Sequence, residues 1–243
     1  MKKIVITITF LSLFASTAYS CFDTYLFLRR GSMVYPYKSV VFDLNNEYSF
    51  NKLGSPQNDM FFLNGNIYYG VSRSFSVQFS LGSGEKPRND FKIDSYGIRG
   101  VYNLYTSGTQ DYTLDVIGEH AGRFDGAENE ATFSLPNIFR FDQITYVLHP
   151  TASYVFEDKN ITVGGHTGLF YDFNQTGVAG VGAEYASVQS SSSAGQRITQ
   201  SEFSASLFLG AYLGSSIYLQ NEIVKGLANS RDFGFALTTK VIL

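Results

Sequence analysis

Residues 161–173 read Ile161-Thr162-Val163-Gly164-Gly165-His166-Thr167-Gly168-Leu169-Phe170-Tyr171-Asp172-Phe173. Successive side chains of an extended chain point to opposite faces. Ile161, Val163, Leu169, Tyr171 and Phe173 therefore share one face, and Thr162, Gly164, His166, Gly168 and Asp172 share the other. An apolar face backed by a small or polar one is what a strand needs between lipid and a watery lumen.

The same period of two recurs from Ser39 to Leu243. Val40, Phe42, Leu44, Tyr48 and Phe50 alternate with Asp43, Asn45, Glu47 and Ser49. Phe75, Val77, Phe79 and Leu81 alternate with Ser76, Gln78 and Ser80. Phe203, Ala205, Leu207, Leu209, Ala211 and Leu213 form one more apolar face, and Phe233, Phe235, Leu237, Val241 and Leu243 form the last. Residues 131–156 are too long for one crossing, which takes ~9–11 residues, so they divide near Asp142. Pro136 and Pro150 fall in this stretch, and a bulge or bend at Pro150 is expected to absorb the missing donor. The count is twelve antiparallel strands, with ten and fourteen as alternatives. Loops 84–90, 122–130, 189–201 and 226–232 then fall at one end, and turns 72–74, 174–177 and 214–216 at the other. The expected fold is all-β, a transmembrane up-and-down β-barrel over residues 39–243.

Met1-Lys2-Lys3, the apolar run 4–15 and Ala18-Tyr19-Ser20 have the order of a secretory signal peptide, expected to be cleaved after residue 20. The apolar run is shorter than the ~20 residues of a spanning helix. Residues 21–38 are less regular and read as an N-terminal arm or plug. Cys21 is the single cysteine, which excludes an internal disulfide, and its place after the signal makes it a candidate for lipidation. Without Lys2 and Lys3 there are 16 basic residues (18 less 2) against 21 acidic ones. That balance gives no cationic footprint for nucleic acid. The 17 tyrosines and 22 phenylalanines suit interfacial girdles on the outer faces, with Phe50, Phe61, Tyr96, Tyr154, Phe173 and Phe235 as candidates.

On this pattern, residues 39–243 resemble bacterial outer-membrane β-barrels of the small porin type. The resemblance implies an outer-membrane location and surrounding outer-membrane lipid. It also implies insertion by the barrel assembly machinery, a monomer, no cofactor, and passive diffusion of small solutes rather than catalysis, and the lumen charges described next make those solutes cationic or neutral. Such barrels often end in an aromatic residue; here Leu243 stands there, apolar and on the outer face.

The inward positions collect Asp43, Glu47, Asp115, Glu119, Asp172, Glu184, Glu202 and Glu222, opposed by Arg99, Arg140 and Lys240. Eight carboxylates against three cations would concentrate cations in a pore. Asp115, Glu119, His166, Glu184, Glu222 and Arg99 are the expected selectivity residues. His149 and His166 face inward on neighbouring strands, with Thr151 expected across from His166 and Glu184 on its other side. A His between a hydroxyl and a carboxylate raises a hydrolase. Known barrel lipid hydrolases, however, place their nucleophile on the lipid-facing wall, and His166 faces the lumen. His120 faces outward with no outward serine beside it. Two inward histidines do not make a metal site. The competing readings are a non-conducting structural or adhesion barrel, a lipid-modifying enzyme, and a periplasmic sandwich whose apolar faces pack together.

Overall fold

A computed structural model describes residues 31–50, 59–85, 92–126, 129–157, 159–174, 176–191, 197–230 and 232–243. Cys21 and the expected signal peptide lie outside the described residues. The remainder is one antiparallel meander of β1 (Val40–Phe50), β2 (Met60–Gly70), β3 (Phe75–Glu85), β4 (Lys92–Thr106), β5 (Tyr112–Arg123), β6 (Glu130–Ser134), β7 (Asn137–Phe141), β8 (Ile144–Val155), β9 (Asn160–Asp172), β10 (Gly177–Ser191), β11 (Arg197–Leu213), β12 (Ile217–Ala228) and β13 (Phe233–Ile242). The sheet closes where β1 pairs with β13, leaving no edge. Short β6 and β7 both lie between β5 and β8, so they are two halves of one wall strand. The wall thus has twelve strands, as the alternation counts them.

The division near Asp142 is a tight hairpin. Phe141 pairs with Ile144, and Asp142 takes a φ of 56° to make the turn. Of the expected bulge or bend at Pro150, the register excludes the bulge. Pro150 stays in register with Gly165, and no shift occurs along β8 and β9. The ladder is instead interrupted at Leu135-Pro136, and the pairings above and below the gap keep one register. Leu135 N donates to the Pro150 carbonyl at 3.1 Å. In such a pair the return bond would come from the N–H that Pro150 lacks. The Leu135 carbonyl accepts from Asn137 Nδ2 at 2.8 Å instead. Among the described strands, register shifts lie at Gly82/Ser83, Asn103/Tyr105 and Phe203/Ser204.

Two further expectations are corrected. The segment 189–201 is mostly not a loop: β10 and β11 extend to a Ser191–Arg197 pair, a ladder that Ile198 and Thr199 can join as β-branched residues. His166 faces His149, not Thr151, which pairs with Gly164. The reason is the turn. Phe156 keeps the β6–β8 register, its N–H donating to the Asn129 carbonyl at 2.9 Å, but has no partner position on β9, and Lys159 takes a φ of 50°. Pairing therefore begins at Val155–Asn160, two places from the expected register. Asn129 returns the contact by donating its own N–H to Glu157 Oε1 at 2.8 Å, and that bond holds the exposed Glu157 carboxyl below its ordinary range.

Outside, alternate residues such as Phe42, Leu44, Ile67, Phe79, Leu81, Ile98, Leu169, Leu207 and Leu209 are exposed around the whole circumference. They do not pack on one another as a sandwich would require. An all-round apolar exterior of this extent needs lipid against it. Aromatic clusters sit at both ends of the wall. Tyr48, Phe50, Phe233 and Phe235 meet at the loop end, and Tyr105, Tyr112, Phe139 and Tyr146 run along the end that carries the C-terminus.

Inside, the end nearest the C-terminus is filled. Val41, Tyr68, Val101, Ile117, Ile138, Val147, Phe170, Val178, Phe208 and Tyr218 point inward and form one buried cluster with Met33, Val34 and Tyr35. Phe208 fits because Gly180 faces it, and Tyr218 fits because Gly210 does; a Cβ at either glycine would overlap the ring. The outward aromatics are visible in the sequence as a girdle. These inward ones sit on the face that a simple alternation assigns to water.

Candidate functional site

Above the apolar cluster the lumen is polar, and it is built strand by strand from register partners. Arg99 on β4 pairs with Glu119 on β5, and the guanidinium grips Glu119 Oε2 at 2.7 Å through both Nε and Nη2. Ser134 on β6 meets His149 Nε2 on β8 at 2.9 Å. His149 pairs with His166 on β9, with ring centroids 5.5 Å apart. His166 pairs with Glu184 on β10, Nδ1 to Oε1 3.9 Å. Glu202 and Glu222 are electrostatic neighbours of Glu184, and Arg99 is a neighbour of both histidines. The result is a belt across β4 to β12, with the Arg99–Glu119 pair and the two imidazoles on one side and the Glu184, Glu202 and Glu222 carboxyl groups on the other.

The side chains of Arg99, Glu119, His166 and Glu184 keep 17–24% of their exposure inside the barrel. They line accessible space rather than a packed interior. Glu222 is buried at the edge of the belt. Asp115, expected in the same set, lies below it and is sealed. Its carboxylate accepts from Ser32 Oγ at 3.0 Å, from the Met33 N–H at 2.6 Å and from Asn103 Nδ2 at 2.7 Å. Asp43 is also withdrawn from the lumen, pairing with Lys240 at 3.1 Å and accepting from the Tyr68 hydroxyl at 3.0 Å.

Glu184 stands beside His166 as the spacing predicts, and His120 faces outward between Tyr96 and Phe156. The Ser134–His149 contact was not legible, because it is a diagonal contact beside the break at Leu135-Pro136, where the strand pairing could not be read from the pattern. Its chemistry is not that of an assembled triad. The Glu184 carboxylate lies two strands away from the imidazole that touches Ser134, whereas a triad puts the acid on that same ring. Among the described residues no group of His, Cys, Asp and Glu has a metal-holding arrangement.

No protein-family model and no curated protein matches the chain by sequence. Its backbone does match solved structures. An outer membrane channel from Pseudomonas putida F1 superposes with a TM-score of 0.65 at 8% identity, over 86% of this chain and 97% of the other. The NanC porin gives 0.63 at 8% identity, over 82% and 98%. The KdgM porin gives 0.57 at 11% identity, over 83% and 98%. The chain has the fold of bacterial outer-membrane porin-like barrels. At these identities the likeness is one of architecture, and the side chains of the belt are this barrel's own.

Proposed function

We propose that this protein is an outer-membrane, porin-like channel for passive diffusion of small cationic or neutral solutes. The observation that carries the reading is the mid-lumen belt: charged and imidazole side chains that keep partial exposure inside a closed twelve-stranded wall. With Glu119 held by Arg99, acidic side chains outnumber basic ones in the belt through Glu184, Glu202 and Glu222, and ionisation within that cluster would give the lumen a negative field. A low-dielectric wall focuses that field on the lumen and favours cations. The KdgM porin has been captured with disordered oligogalacturonate, a polyanion. A carboxylate-rich belt has the wrong sign for such a solute.

The test is single-channel recording of the detergent-folded protein in a planar bilayer under a salt gradient. Discrete steps with a reversal potential on the cation side support the reading. A folded, heat-modifiable barrel that passes no current under any condition overturns it. One observation favours a second reading, a barrel without conductance: the apolar cluster around Met33, Val34 and Tyr35 fills the lumen at one end.

A further inference from the structure

Residues 31–38 do not extend away from β1. They fold back across the end of the barrel and into it. Ser32 and Met33 reach Asp115 on β5. Tyr35 donates its N–H to Ser76 Oγ on β3 at 3.2 Å and stacks on Tyr68 of β2, with centroids 4.3 Å apart and planes 20° from parallel. Pro36 lies so close to Gly70 that a Cβ there would overlap the Pro36 carbonyl. Lys38 N donates to the Gly70 carbonyl at 2.8 Å, fixing the point where the segment enters β1. At the far side, Gly31 (φ 86°) passes the Arg140 guanidinium of β7. The segment thus spans the mouth from β2 to β7, and Met33, Val34 and Tyr35 are its buried centre.

We infer that residues 31–37 are a removable plug, seated by Asp115, that closes the C-terminal mouth of the lumen to solutes. The inference rests on the channel reading above. Two features separate a plug from an ordinary core. First, its polar anchoring converges on one carboxylate, a wholly buried acid that takes one hydrogen bond, shared between its two oxygens, from the segment's Ser32 hydroxyl and another from its Met33 N–H. Bonds to an ionised acceptor are roughly twice as strong as neutral ones. Second, among the described residues its backbone-to-backbone bonds to the wall strands lie at Lys38 and Ser39, so withdrawal of 31–37 breaks no ladder of β1 to β13. Asp115 keeps Asn103 as a partner when the segment leaves, which makes the open state tolerable for the wall.

The experiment uses the full chain with Cys21→Ser throughout. One variant adds Tyr35→Cys and Tyr68→Cys, so that oxidation ties the segment to the wall and a reductant frees it. A second carries Asp115→Asn, which removes the charge of the seat without changing its shape. A third adds Val34→Cys to report seating through its labelling by a bulky, water-soluble maleimide. Current in the oxidised lock should fall below that of the same molecules after reduction. Asp115→Asn should raise both current and Val34→Cys labelling, the latter about tenfold, the scale of one lost charge-assisted bond. Equal, non-zero current in every state overturns the plug and leaves the channel standing. Silence in every state, with folding confirmed by heat modifiability, overturns the channel and the plug together.

Discussion

Lys240 and Asp43 are register partners across β13 and β1, the seam that closes the barrel, and their 3.1 Å ion pair is fully buried. Tyr68 completes it, donating to Asp43 and placing its ring 5.5 Å from the Lys240 ammonium. Removing one partner of a buried pair leaves an uncompensated charge, which costs about 3–5 kcal/mol. Lys240→Met should therefore weaken the fold by about that much, and Asp43→Leu by a similar amount. The double variant should recover most of the loss. Urea unfolding followed by far-UV circular dichroism reads this directly. Equal additive losses would show that the pair is not what holds the seam.

The inward rings make a second prediction. Tyr218 occupies the space left by Gly210, and a methyl group at 210 would meet its hydroxyl and Val178. Gly210→Ala should destabilise the barrel by about 1–3 kcal/mol through overpacking. Adding Tyr218→Val should relieve the clash and restore the unfolding midpoint toward that of Tyr218→Val alone. A midpoint unmoved by Gly210→Ala would mean that the ring is not seated there.

These positions also mark what the sequence could disclose. The strand count, the inward carboxylates and the hairpin at Asp142 follow from a period of two and from crossing length, both local properties. The inward cluster does not. Phe170, Phe208 and Tyr218 sit on the face that alternation assigns to solvent, and only the facing glycines and the returning segment 31–37 make that face dry. The His149–His166 pairing was missed by a slip of two residues, which keeps every side chain on its own face and so leaves no trace in the pattern.

The selectivity of the belt gives a third prediction. Glu119→Lys with Glu184→Lys reverses charge on both sides of the accessible lumen and should move the reversal potential toward anions. Arg99→Gln should move it the other way, because Glu119 loses the guanidinium that neutralises it. Opposite signs from the two variants are the diagnostic. Matching shifts, or none, would place the ion path elsewhere.

The last prediction concerns the break in the wall. Asn137 is a polar residue on the outward face, and its amide is committed on both sides: Nδ2 donates to the Leu135 carbonyl at 2.8 Å and, at a long 3.5 Å, to the Leu148 carbonyl, and Oδ1 accepts from the Tyr112 hydroxyl at 2.9 Å. The first bond substitutes for the donor that Pro150 cannot supply. In lipid an unpaired carbonyl has no water to turn to. Asn137→Ala should cost about 1–3 kcal/mol, the scale of an unsatisfied buried group. Pro150→Ala returns an N–H to β8 opposite Leu135. In that background the same Asn137→Ala change should cost less, the remainder reflecting Tyr112 and the long contact to the Leu148 carbonyl. A double-mutant cycle on unfolding free energy isolates the coupling. Equal costs in the two backgrounds would mean that Asn137 does not stand in for the proline's missing donor.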